Sequence, residues 1–173
     1  MSTPDLSSLI RNIPDFPQPG IQFKDITTLI GNGPAFQQVI GALVERYQNA
    51  GIDAVAGVES RGFIFSAPIA LHLGVGLVPI RKPGKLPAET YQIEYELEYG
   101  TSKLEIHRDA LSPGMRVLLI DDLLATGGTI RAATQLVERA GGNVTELAFV
   151  IELTFLGGRE KLAPYPVFSL IQF

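Results

Sequence analysis

Asp121 and Asp122 stand side by side after a wholly apolar run, Val117-Leu118-Leu119-Ile120, and ahead of Leu123-Leu124-Ala125-Thr126-Gly127-Gly128-Thr129. Such a run reads as a buried strand that delivers two carboxylates to the carboxyl edge of a sheet, where open α/β folds bind ligands. Glycines 127 and 128 let a phosphate approach the backbone, and free amides at the start of the following helix attract an anion. The hydroxyls of Thr126 and Thr129 can add hydrogen bonds. One side of this site therefore favours a phosphate, while the other offers acceptors for hydroxyls or a hydrated Mg²⁺. A phosphorylated sugar has those two ends. The plain alternative is a helix N-cap behind a strand, with both aspartates as ordinary turn residues. Two adjacent acids followed by Thr-Gly-Gly-Thr favour binding. Other phosphate motifs do not fit. Pro79 stands where a Gly-rich loop ending in Gly84-Lys85 would need its first glycine, and Gly74-Val75-Gly76 lacks the third glycine of a dinucleotide fingerprint.

Three further groups carry chemistry-capable side chains. Glu59-Ser60-Arg61-Gly62 lies between an apolar segment and a helical one, a second place for an anion, or else a surface ion pair between Glu59 and Arg61. Arg81, Lys82 and Lys85 put three cations within one short stretch containing Pro83, Gly84 and Pro87, which on composition is a solvated loop. Glu98 ends the exposed series Glu94, Glu96, Glu98, and Phe23 reads as a core aromatic. His72 and His107 take helix-face and strand positions and are given no role.

The elements that must position these groups follow from periodicity. Phe36, Val39, Ile40, Leu43, Val44 and Tyr47 form one stripe of an amphipathic helix over 34–50. Residues 54–58 read as a buried strand, 62–73 as a helix and 77–80 as a strand. Residues 117–120 and 147–151 are further strands. Between these last two lies a helix with Ile130, Ala133, Val137 and Ala140 on one face, ended by Gly141-Gly142. Strand–helix repetition with strands apolar on both faces predicts an α/β fold: a parallel twisted sheet flanked by helices. Near the start, Leu6, Leu9 and Ile10 predict a short helix ended by the proline-rich stretch 14–20. Residues 81–111 break the rhythm. Tyr91, Ile93, Tyr95, Leu97 and Tyr99 alternate with Gln92, Glu94, Glu96 and Glu98, a half-exposed strand that Gly100 can turn back into Leu104-Glu105-Ile106. The result is an inserted hairpin flap, either a lid or an edge extension of the sheet.

Composition bounds the function. The 173 residues suit one domain, and 46% hydrophobic against 18% charged residues is a core-forming balance. With no cysteine, disulfide scaffolds, thiolate zinc, iron–sulfur centres and cysteine nucleophiles are excluded. Two distant histidines leave no histidine metal cluster. A net charge of −4 argues against nucleic acid as a partner. No apolar run approaches the roughly 20 residues that span a bilayer, so no membrane partner is expected. The first residues lack the features of a signal peptide, and a soluble, cytoplasmic protein is expected.

The segment around Asp121 closely resembles the phosphoribosyl-pyrophosphate (PRPP) signature of the type I phosphoribosyltransferases. The resemblance extends over nearly the whole chain, through 13–26, 59–63, 81–86, 97–100 and 158–164. The flap and the C-terminal run narrow it to members that use adenine. It implies one phosphoribosyltransferase domain over 1–173, with a small base-covering hood at 1–33 and a flexible flap at 81–111. The implied reaction moves the 5-phosphoribosyl group of PRPP to N9 of adenine, giving AMP and pyrophosphate in cytoplasmic purine salvage. Mg²⁺ would be held mainly by pyrophosphate and the ribose hydroxyls, with water-mediated help from Asp121 and no direct protein ligand. By the same resemblance, Asp121 and Asp122 grip the ribose hydroxyls, and Ala125, Thr126, Gly127, Gly128 and Thr129 hold the 5′-phosphate. Glu59, Ser60 and Arg61 form a pyrophosphate loop that related enzymes often hold with a non-proline cis peptide. Arg81, Lys82 and Lys85 close over pyrophosphate, and Arg81 reaches the neighbouring subunit's site in a homodimer. Glu98 and Arg61 are the catalytic side chains, Glu98 closing over the ribose–base junction. Phe23 stacks on adenine while main-chain groups around Gln22 and Lys24 read its edge; family members often carry Arg where Lys24 stands. Two alternatives remain: a same-fold enzyme for a 6-oxopurine such as xanthine, and a non-catalytic regulator that senses PRPP or purines.

Overall fold

The computed structural model describes residues 5–97 and 100–173. They fall into two compact units, one up to Ala42 and one from Leu43 to Phe173. In the first, a 3-10 turn at Leu6–Leu9 takes the place of the expected short helix. Asp5 caps it, its carboxylate accepting the Ser7 N–H at 3.0 Å. Ile10 is already extended, with φ −90° and ψ 117°, so the turn stops at Leu9. Strands β1 (Arg11–Pro14) and β2 (Gln22–Asp25) pair antiparallel, with Arg11 opposite Asp25. The Arg11–Asp25 ion pair closes at 2.5 Å. Hydrogen bonds from Thr27, then from Arg11, lower the Asp25 pKa to about 2. Helix α1 (Thr27–Ile30) follows, and α2 (Gly33–Tyr47) carries the chain into the second unit on the stripe that the sequence predicts.

The second unit is built on β3 (Ala54–Val58), α3 (Gly62–Leu73), β4 (Gly76–Ile80), β5 (Thr90–Glu96), β6 (Thr101–His107), β7 (Arg116–Leu124), α4 (Gly128–Arg139), β8 (Asn143–Glu152) and β9 (Val167–Gln172). Five of these strands form one parallel sheet in the order β4-β3-β7-β8-β9. Side chains alternate between its faces. Ala56, Val117, Leu119, Leu147 and Phe149 pack into one core with Ile130, Ala133, Leu136 and Val137 of α4. The intervening Val55, Leu118, Ile120, Ala148 and Val150 are fully buried as well, and α3 packs against β3 and β7. A sheet covered on both faces needs the wholly apolar strands that the sequence carries.

In the second unit two strands differ from the sequence reading, and the hairpin takes a form that reading left open. Strand β7 runs past Ile120 through both aspartates to Leu124, because Leu123 and Leu124 keep pairing with Ile151 and Glu152. Strand β9 adds a fifth, unpredicted strand, which pairs with β8 along Leu147–Val167 to Glu152–Gln172. The hairpin β5–β6 is a separate two-stranded sheet, joined by an Arg81–Glu105 bridge to the residue that follows the edge strand β4. Leu104 and Ile106 are buried in the α4-side core, and Tyr91, Ile93 and Tyr95 pack against it. That leaves Gln92, Glu94 and Glu96 exposed, as the alternation predicts.

Candidate active site

The carboxyl ends of β3 and β7 open into a cleft of about 540 Å³. Glu59, Ser60, Arg61, Lys82, Lys85, Asp121, Asp122 and the whole run from Ala125 to Thr129 line it. Residues far apart in sequence meet here because parallel strands place every β-to-α turn at the same sheet edge. Helices α3 and α4 begin at this edge, and neither has a side-chain cap at its N-terminus. An uncapped helix start puts first-turn amides at the positive end of the helix dipole; in α3 the Phe63 and Ile64 N–H already donate to the Ser60 and Arg61 carbonyls, both at 3.2 Å. The cap residue of α4 is Gly127, with φ +84°, a left-handed conformation that favours glycine.

On the α4 side, the two aspartates differ. Asp122 is 5% exposed and its Oδ2 accepts a 2.5 Å hydrogen bond from Arg61 Nε. Asp121 Oδ1 accepts the Asp122 backbone N–H at 2.9 Å. Burial, and then the negative charge of Asp122, push the Asp121 carboxyl well above the usual carboxylate range, against the opposing pull of Arg61. Asp122 holds the Arg61 guanidinium while Asp121 accepts a backbone N–H, so the pair is chemically unequal.

On the α3 side, the Glu59–Ser60 peptide is cis. The Glu59 carboxylate gathers three donors: the Lys82 backbone N–H at 3.0 Å, Arg81 Nη2 at 3.3 Å and Lys85 Nζ at 3.2 Å. Burial alone would raise its pKa, but these donors together hold it at about 2. Glu59 is thus an acceptor that assembles the basic segment, and as an anion it cannot itself attract another anion. Glu105 holds the same segment from its other side. This buried acid accepts the Gly84 N–H at 3.2 Å and Gln92 Nε2 at 2.8 Å, tying the basic loop to the hairpin.

Among the described residues of the second unit, the structure brings the expected side chains together with one exception. Arg81 is ion-paired to Glu59 of its own chain and is not among the side chains lining the cleft. Gln22, Phe23 and Lys24 lie on β2 in the first unit, where the Phe23 ring meets Phe16 edge-on at 5.2 Å and Gln22 Oε1 accepts Asn12 Nδ2 at 2.7 Å. Glu98 lies outside the described residues, although Leu97 beside it lines the cleft.

Sequence reasoning missed Tyr95, Ser102 and Phe149, which line the cleft too. Thr129 Oγ1 donates to Tyr95 OH at 3.4 Å, so the hairpin meets the first turn of α4. Alternation put Tyr95 on the inward face of β5, but it carries no information about which helix that face meets. Among the described residues, no group of three or more His, Asp or Glu side chains could hold a metal ion, and no helix is long and apolar enough to cross a membrane.

Comparison with known proteins agrees with this geometry. Residues 27–168 match the family model of the phosphoribosyl transferase domain. An adenine phosphoribosyltransferase of Chloroflexus aurantiacus is 78% identical over 173 residues, covering all of both chains. The solved adenine phosphoribosyltransferase of Saccharomyces cerevisiae, complexed with an imino-altritol bisphosphate and adenine, superposes with a TM-score of 0.90 at 45% identity, over 95% of this chain and 96% of that one. The Trypanosoma brucei enzyme, in complex with AMP, pyrophosphate and ribose-5-phosphate, gives 0.89 at 27% identity, over 96% of this chain and 77% of that one. A parallel sheet with a Thr-Gly-Gly-Thr turn and an acidic pair at its edge, together with full-length identity of this order, leaves one assignment: the chain belongs to the adenine phosphoribosyltransferase family.

Proposed function

We propose that this chain transfers the 5-phosphoribosyl group of PRPP to N9 of adenine, releasing pyrophosphate and forming AMP. The observation that carries the reading is one cleft on which two helix N-termini open without side-chain caps, α3 beside Arg61 and Lys82 and α4 at Gly127. A substrate with a phosphate at one end and a pyrophosphate at the other fits two anion sites in one cleft. The full-length match to adenine phosphoribosyltransferases names the acceptor base.

In this reading, the turn Ala125–Thr129 takes the 5′-phosphate through backbone amides and the Thr126 and Thr129 hydroxyls. Asp121 and Asp122 accept the ribose hydroxyls, and their charge favours the oxocarbenium character that ribose develops as its bond to pyrophosphate breaks. Arg61, Lys82 and Lys85 hold the departing pyrophosphate, with Glu59 keeping Lys85 and Arg81 in place. Glu98 sits on the flap segment that closes over the ribose–base junction, where it moves a proton on the purine or supports the developing charge. Phe23 stacks on adenine, with main-chain groups near Gln22 and Lys24 reading its edge.

The donor set suits Mg²⁺ carried in by the substrate. The cleft offers an acid pair on its sugar side and no three-ligand cage among the described residues. The ion would take its oxygens from pyrophosphate and ribose, with Asp121 acting through water, and would neutralise charge on the leaving group. We extend the proposal to a homodimer, in which Arg81 serves the neighbouring site, and to a cytoplasmic setting.

The test is product formation from PRPP with adenine, hypoxanthine or xanthine. AMP from adenine, with at most trace product from the 6-oxopurines, is expected. Comparable turnover of xanthine would move the chain to the oxopurine reading. PRPP binding without turnover of any base would favour the regulator.

A further inference from the structure

Two backbones meet beneath the phosphate turn with no room for a side chain between them. A Cβ added to Gly158 would lie 2.2 Å from the Ala125 carbonyl oxygen, and one added to Gly127 would lie 2.8 Å from the Gly158 oxygen. Gly158 does not adopt a left-handed φ, so space rather than conformation demands glycine there. Its position is held by its neighbour. Arg159 donates to Glu152 through Nε at 3.0 Å and Nη2 at 2.5 Å, to the Val167 carbonyl at 2.6 Å and to Ser169 Oγ at 2.8 Å. Glu152 is buried, and it accepts Ser169 Oγ and Gln172 Nε2 as well. It pairs in register with Leu124, the residue before the phosphate turn. Leu162, 1% exposed, anchors the far end of the same 3-10 turn, Gly158–Leu162, in the core.

We infer that Gly158, locked by the Arg159–Glu152 clamp, is a positioning residue that sets the height of the Ala125–Gly127 backbone and so the fit of the 5′-phosphate. The inference rests on the reading that this turn holds the phosphate. Displacement of a binding backbone by about 1 Å can cost on the order of 10²-fold, and the Ala125 carbonyl has to yield by about that much to reach ordinary contact with an added Cβ.

Calorimetric titration of the purified protein with AMP and, separately, with inorganic pyrophosphate tests this. Gly158→Ala should weaken AMP by roughly tenfold or more while pyrophosphate affinity stays within about twofold, because the α3 end is untouched. Arg159→Gln, which adds no atom at the contact, should produce a smaller loss of the same selectivity, and it decides the matter if Gly158→Ala does not fold. Unchanged AMP affinity overturns the inference. So does a parallel loss of AMP and pyrophosphate, the result expected from general loosening. Gly128→Val, within the turn itself, separates the two levels. If it abolishes AMP binding while Gly158→Ala does not, only the positioning role falls. If neither variant affects AMP, the phosphate lies elsewhere and both readings fall.

Discussion

Replacing Asp121 and Asp122 one at a time should reveal effects of opposite sign that the double replacement hides. Each substitution to Asn removes a carboxyl oxygen from the ribose side of the cleft and should lower kcat/KM for PRPP by roughly 10²-fold, the scale of a lost electrostatic contact to a transition state. Stability should diverge. Asp122 is buried and accepts the 2.5 Å bond from Arg61, and hydrogen bonds to charged groups are worth roughly 1.5–3 kcal/mol. Because the Arg61 side chain is 50% exposed, solvent screening brings this to about 1–2 kcal/mol. Asp122→Asn should then lower Tm by roughly 2–8 °C. Asp121 is the reverse case: burial and the neighbouring Asp122 charge raise its pKa, so its ionisation opposes folding at neutral pH. With the folded pKa above the unfolded one, the penalty is absent below about pH 4, grows as pH rises toward the folded value and is complete above it. Asp121→Asn should therefore raise Tm near pH 7, with the gain vanishing toward pH 4. Thermal unfolding across this range, beside steady-state kinetics at pH 7, provides both readouts. A fall in Tm at pH 7 for Asp121→Asn matching that of Asp122→Asn would refute the electrostatic argument. Near-normal kcat/KM for the double variant would remove the pair from the ribose.

Gly128→Val should abolish AMP binding, since an added Cβ lies 3.3 Å from the Glu96 carbonyl oxygen and the branched methyls then crowd the phosphate turn; wild-type AMP affinity by calorimetry would contradict this. Glu98→Gln should slow single-turnover AMP formation by roughly 10²–10³-fold while raising the KM for PRPP much less, whereas a change under about fivefold would mark Glu98 as a solvated strand residue. For Glu59, the folded pKa of about 2 lies below the ordinary 4.5, so its stabilising contribution is present above about pH 4.5 and lost as pH falls toward 2. Glu59→Gln should flatten the acid-unfolding limb in that window, and an unchanged limb would show that its three donors contribute nothing.

Periodicity made the parallel sheet legible because a strand buried on both faces has to be apolar throughout, and 54–58 and 117–120 carry that requirement in their own residues. The phosphate turn was legible for a similar reason: Asp121 to Thr129 is contiguous, so its chemistry is local. The hairpin was readable as alternating residues, but its attachment was not. Nothing in Tyr91, Ile93 and Tyr95 says that their face meets α4 and brings Tyr95 to Thr129. The amphipathic pattern reports that a face is buried, not what covers it. Only the tertiary structure made the two aspartates unequal, because Asp122 owes its hydrogen bond to Arg61, sixty-one residues away. The same holds for Glu59, whose sequence neighbour Arg61 reads as its ion-pair partner; the fold pairs it instead with Arg81 and Lys85 and gives Arg61 to Asp122. Spacing ranks partners by distance along the chain, while a parallel sheet collects every carboxyl-end turn at one edge. Gly158 shows the limit most sharply: its missing side chain answers to the Ala125 carbonyl, a partner that exists only once β7, β8 and β9 have paired.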